Sequence, residues 1–131
     1  MIEQAIGEAL LAQEDIASIV GDRIILGGMP EEFPYPCIIM LLVSERAWQV
    51  NQGRTNQRDA VVRLDFYGDD YATVRTLLEA ARSVLVSEVI DTSKVFAGPF
   101  IEENATFLAP QDPDELWHSV LDLSFTYSLK G

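Results

Sequence analysis

Lysine, histidine and cysteine are almost missing from this chain of 131 residues. It has two lysines (Lys94 and Lys130), one histidine (His118) and one cysteine (Cys37). A lone cysteine excludes an internal disulfide. One histidine and one cysteine cannot supply the three or four ligands of a typical structural zinc site. A phosphate-binding loop needs closely spaced glycines and a lysine between a strand and a helix. The candidate, Asp15-Ile-Ala-Ser-Ile-Val-Gly-Asp-Arg-Ile24 followed by Gly27-Gly28, has no lysine near it. It reads instead as a helix that ends at Gly21 and a turn into an extended segment. Long apolar runs are absent too: none approaches the ~18 residues that span a bilayer. The start, Met1-Ile-Glu-Gln-Ala-Ile-Gly-Glu8, lacks the basic residues and apolar block of a signal peptide, so a cytosolic origin is expected.

Cations are scarce as a class. Nine Lys and Arg face 21 Asp and Glu, for a net charge of −12 and a pI near 4.2. Such a surface repels phosphate backbones and disfavours reading or wrapping nucleic acid. It promotes solubility, and it would also serve as a non-stick wall for DNA that must pass without being held. Composition does not separate those two uses. The hydrophobic fraction of 48% is ordinary for a globular protein.

What is present is a sequence of well-marked elements. Ile2, Ala5, Ile6, Ala9 and Leu10 recur at helical spacing, predicting a helix over 2–13. A second helical turn runs from Asp15 to Val20, and Arg23–Leu26 is extended. Three prolines make 29–36 a loop. Tyr35 to Val43 is apolar at both parities, predicting a strand covered on both faces. The polar run Asn51–Asp59, centred on Gly53, reads as a long hairpin tip before the returning strand Ala60–Tyr67. Asp69 or Asp70 caps a helix over 71–86, whose stripe is Val74, Leu77, Leu78, Ala81, Val84 and Leu85. Residues 90–110 are indistinct, with short strand pieces at Val95–Ala97 and Phe100–Ile101. Leu116–Leu129 alternates as a strand, with Leu121, Leu123, Phe125, Tyr127 and Leu129 on its core face. No repeat or linker interrupts the chain. The order predicts an α+β fold: a single domain with an antiparallel or mixed sheet, a long hairpin, and helices packed on one face.

Chemistry is thinly represented. Cys37 lies in the apolar run Pro36–Val43 and reads as a small buried hydrophobe. His118 reads as a surface or rim residue, because its neighbours Ser119 and Asp122 do not make a triad from one strand. The carboxylate pairs Glu31-Glu32, Asp69-Asp70 and Glu102-Glu103 read as solvated or capping groups. No catalytic residue, cofactor site or metal site is expected. The polar hairpin is the more informative segment. Arg46, Trp48, Asn51, Gln52, Arg54, Asn56, Gln57 and Arg58 gather three of the nine cations there. A basic arm on an acidic body suits docking on a neighbouring copy, with Trp48 and Arg54 as the anchoring types. A solvated loop is the alternative.

The order of landmarks resembles the tail-completion or tail-terminator proteins of long-tailed bacteriophages, also called tail-to-head joining proteins. These landmarks are the N-terminal helix into Ile19-Val-Gly-Asp-Arg-Ile24, then Phe33-Pro-Tyr-Pro-Cys-Ile-Ile39. Arg58-Asp-Ala-Val-Val-Arg-Leu-Asp-Phe-Tyr67, the helix 71–86, and Trp117-His-Ser-Val-Leu-Asp-Leu-Ser-Phe-Thr-Tyr127 follow. The resemblance implies a non-enzymatic structural subunit that forms a homo-oligomeric ring, commonly of six copies. The ring would cap the tail tube, meet the head connector, and pass DNA through its lumen without binding it specifically. It implies assembly in the host cytoplasm, then a place in the virion at the head–tail interface, with no membrane partner. The competing expectation is a small-molecule or ion-binding α+β module without catalysis.

Overall fold

The computed structural model describes residues 1–28, 35–50, 53–111 and 115–130, and within these the side chains of 49, 50 and 53–56 are not described. Among the described residues, three helices and seven strands follow one another as α1 (Ile2–Leu11), α2 (Glu14–Val20), β1 (Ile24–Leu26), β2 (Cys37–Val50), β3 (Gly53–Gly68), α3 (Tyr71–Leu85), β4 (Ile90–Asp91), β5 (Val95–Ala97), β6 (Ile101–Leu108) and β7 (Trp117–Leu129). The strands form one mixed sheet in the order β1-β2-β3-β7-β5-β4, with β6 also paired to β7. Only β1 runs parallel to its neighbour; β2, β3, β7, β6, β5 and β4 pair antiparallel. The α+β expectation holds.

One face of the sheet makes the core. Ile38 and Met40 of β2, Val62, Leu64 and Phe66 of β3, and Leu121, Leu123 and Phe125 of β7 are buried in it. Against them pack Ile2, Ile6 and Leu10 of α1, Ile16 and Val20 of α2, and Leu77, Leu78, Ala81 and Leu85 of α3. The period of two in the strands and of 3.6 in the helices thus meets across a single interface. Asp70 begins α3 by accepting from the Thr73 amide at 2.7 Å, which holds its carboxyl below the usual carboxylate range. Gly21 ends α2 at φ 63°. Arg23 then closes that end: Nη2 donates to the Ile19 carbonyl at 3.1 Å and Nε to the Pro36 carbonyl at 2.8 Å. The Ile19–Ile24 stretch is therefore a clip joining α2 to the start of β2.

Three expectations need correction. The polar run 51–59 is mostly strand: β2 continues to Val50, β3 resumes at Gly53, and Val50 pairs with Gly53. Polar residues suffice here because β7 extends alongside as far as the Gln57–Ser128 pair and supplies the ladder bonds. Only Gly53–Asn56 run past that neighbour. Second, coverage on both faces holds only for Cys37–Met40; Leu41 and Val43 are 44% and 48% exposed. Third, Phe100–Ile101 is the entry to an eight-residue strand, β6. Its sequence, Ile-Glu-Glu-Asn-Ala-Thr-Phe-Leu, hides the alternation because a bulge falls between Glu102 and Asn104. The proline loop over 29–34, and 112–114 of the turn expected at 110–114, lie outside the described residues.

Candidate interaction surface

The helix-free face of the sheet carries the polar halves of β3 and β7. Arg63 forks onto Asp122, Nε to Oδ1 at 2.8 Å and Nη2 to Oδ2 at 3.3 Å. His118 Nε2 lies 2.6 Å from Asp65 Oδ1, and its ring stacks on Tyr67 with centroids 4.1 Å apart. Burial, with Asp65 and Cys37 beside it, pushes the Tyr67 phenol up to about 12. His118 is thus half-buried at the open face, with Asp65 and Tyr67 as its partners. An open groove of ≈ 480 Å³ beside the ring is lined by Tyr67, Leu108, Pro110, Glu115 and His118, among others. Among the described residues no group of three or more His, Cys, Asp or Glu side chains could hold a metal ion.

Toward the far end of the β2–β3 ribbon the hairpin residues separate. Arg46 pairs across the strands with Asp59 and is exposed. Trp48 lies at an irregularity of the ladder, between the pairs Ala47–Arg58 and Gln49–Arg54. It is 42% exposed, and its indole donates to Asp59. That bond, and one from Thr126 Oγ1 at 2.8 Å, hold the Asp59 carboxyl below the usual range. Arg58 is spent within the ribbon on Glu45 at 2.8 Å. Gln57 is exposed and pairs through its backbone with Ser128. Arg54 and Asn56 belong to β3, but their side chains lie outside the described residues, as do Asn51 and Gln52 altogether. Arg46, Trp48 and Gln57 therefore share one ribbon, and Trp48 has a structural partner as well as an exposed face.

Sequence reasoning missed the Arg63–Asp122 and Asp65–His118 contacts. The polar faces of both strands are legible, but the register that sets Arg63 opposite Asp122 joins residues 59 apart. Charge is unevenly spread. Residues 44–59 hold three cations and two acids, leaving six cations against nineteen acids elsewhere.

A family model matches residues 4–128. A chain of the solved virion of a native gene transfer agent (GTA) particle shares the fold, with a TM-score of 0.60 and 19% identity, over 98% of this chain and 93% of that one. No curated protein matches significantly. The class so defined is a structural protein of a phage-like tail. The chain belongs to the family described as tail completion protein gp17. No helix among the described residues is long and apolar enough to cross a membrane.

Proposed function

We propose that this tail protein acts as a terminator. Copies of it form a ring, of six subunits by the resemblance of its landmarks, that caps the tail tube and meets the head connector. DNA passes through the lumen, held off by the acidic lining and bound at no specific site. Assembly takes place in the host cytoplasm before the ring enters the virion. No catalytic step belongs to this role. The observation that supports the reading is the segregation of charge: a ribbon carrying Arg46, Arg54 and Arg58 on a body with a large acidic excess. Unlike patches on one molecule favour contact between copies and penalise other orientations.

Light scattering and electron microscopy test the ring directly. Closed rings are the expected particle, alone or on tail tubes; a strict monomer in both settings would overturn the reading. Arg46→Glu combined with Arg54→Glu is expected to weaken assembly while leaving the circular dichroism spectrum unchanged. Unaltered assembly would remove the ribbon from the interface.

A further inference from the structure

Among the described residues the sheet has two long open strand edges, apart from the short terminal strands β1 and β4. On one side, β1 covers β2 only at Ile38, Ile39 and Met40. From Leu41 to Trp48 the outer edge of β2 has no strand beside it among the described residues. On the other side, β6 pairs with β7 along one edge alone, and among the described residues no strand flanks Ile101–Leu108 on the other. Unpaired edges expose rows of amides and carbonyls that readily accept another strand.

The side chains along these edges differ from those between them. Four exposed large aliphatics lie at these rims: Leu41 and the bulged Val43 on β2, Ile101 and Leu108 on β6, each between 44% and 57% exposed; Leu129 at the end of β7, expected on its core face, is exposed as well, and so is Leu26 of β1. The centre of the open face is instead the polar set Arg63–Asp122 and Asp65–His118. Aliphatics at both rims beside a polar centre whose groups already partner one another favour contact at the rims. Joining rim to rim would bury the aliphatics and leave the centre in water.

We propose that the β2 edge of one copy pairs with the β6 edge of the next, making a continuous sheet across the subunit boundary. This rests on the ring reading and supplies its seam. Charge selects the unlike pairing. β6 carries Glu102 and Glu103 and no cation of its own; Arg82 of α3 pairs with Glu102 at 2.6 Å, so Glu103 is the acid left to repel a second β6 edge. The β2–β3 ribbon carries three cations against two acids over 44–59 and attracts it. A contact between two different edges is head-to-tail, and head-to-tail contacts repeat around a ring when the rotation closes.

Disulfide trapping tests the seam. Single variants Leu41→Cys or Val43→Cys would be mixed under mild oxidation with Ile101→Cys or Leu108→Cys, at sites exposed enough to leave folding intact. In at least one of the four mixtures the mixed dimer should exceed both homodimers. A chain carrying that pair together should give a ladder of oligomers. Val43→Lys or Leu108→Lys should each weaken association about tenfold, with unchanged circular dichroism. Predominant homodimers would overturn the proposal, as would mixed dimers no more abundant than those from a Ser83→Cys control on α3. If light scattering still finds oligomers in that case, the ring stands and its seam lies elsewhere. Monomers under all conditions, on tail tubes included, would overturn both.

Discussion

Cys37 shows how position governs chemistry at the scale of one residue. Its side chain is fully buried beside Tyr67 and opposite it in register. Burial pushes the thiol from an ordinary value of 9.0 up to about 11, and the Arg23 guanidinium only partly offsets this. A disulfide-exchange reagent should therefore label the native chain at least about two orders of magnitude more slowly than the denatured one. Rapid labelling at pH 8 would contradict the assignment. The same shift has a consequence for stability. The folded thiol holds its proton more tightly than the unfolded one, so its contribution is complete below pH 9 and is lost as pH rises to about 11. Thermal melts of Cys37→Ala should be flatter across that window than those of the parent. Tyr67 and Tyr127, pushed from 10.0 to about 12, add a further loss at higher pH in both proteins.

At the scale of elements, two glycines separate a preference from a requirement. Gly21 sits at φ 63° at the end of α2, and a Cβ there would meet only the Arg23 side chain, at 3.5 Å. Gly21→Ala should cost about 2 kcal/mol, because φ 63° with ψ −116° lies outside the left-handed helical well and in a region that side-chain-bearing residues rarely enter. Gly98, between β5 and β6, has φ 115°, and its Cβ would lie 2.6 Å from the Glu88 carbonyl oxygen. Neither backbone can yield, because Phe100 N donates to that same carbonyl and Gly98 N to the Thr126 carbonyl. Gly98→Ala should cost about 3 kcal/mol or more. Urea titration of the two variants checks this; equal losses would show that the β5–β6 junction relaxes. The helix stripes, the Asp70 cap and the Gly21 stop were all legible in the sequence because each depends on residues within a few positions. The length of the ribbon and the whole of β6 were not. Both depend on the ladder supplied by β7, and β6 is further disguised by its bulge.

For the whole molecule, magnitude decides how copies respond to salt. Two bodies of charge −12, with centres about 35 Å apart, repel by on the order of 10 kcal/mol without screening. The few exposed ion pairs that a ribbon can form are each worth about 0–1 kcal/mol. Repulsion dominates at low salt and fades as the Debye length falls from about 30 Å at 0.01 M to about 8 Å at 0.15 M. Self-association should therefore strengthen over that range, as read by sedimentation. Weakening instead would mean that local pairs outweigh the net charge, and that ribbon arginines dominate the seam.

The sequence by itself determined the α+β class, the core faces of β3, β7 and α3, the burial of Cys37, and the order of landmarks that resembles tail-completion proteins. These follow from short-range periodicity and from residue types whose behaviour needs little context. Tertiary structure alone decided the register that joins Arg63 to Asp122 and His118 to Asp65, and the extension of β2 and β3 into one ribbon. It also decided which strand edges stay open, with Leu41 and Val43 on one rim and Ile101 and Leu108 on the other. Those features require strands far apart in the chain to meet, and pairing energy is shared between partners that no local window contains.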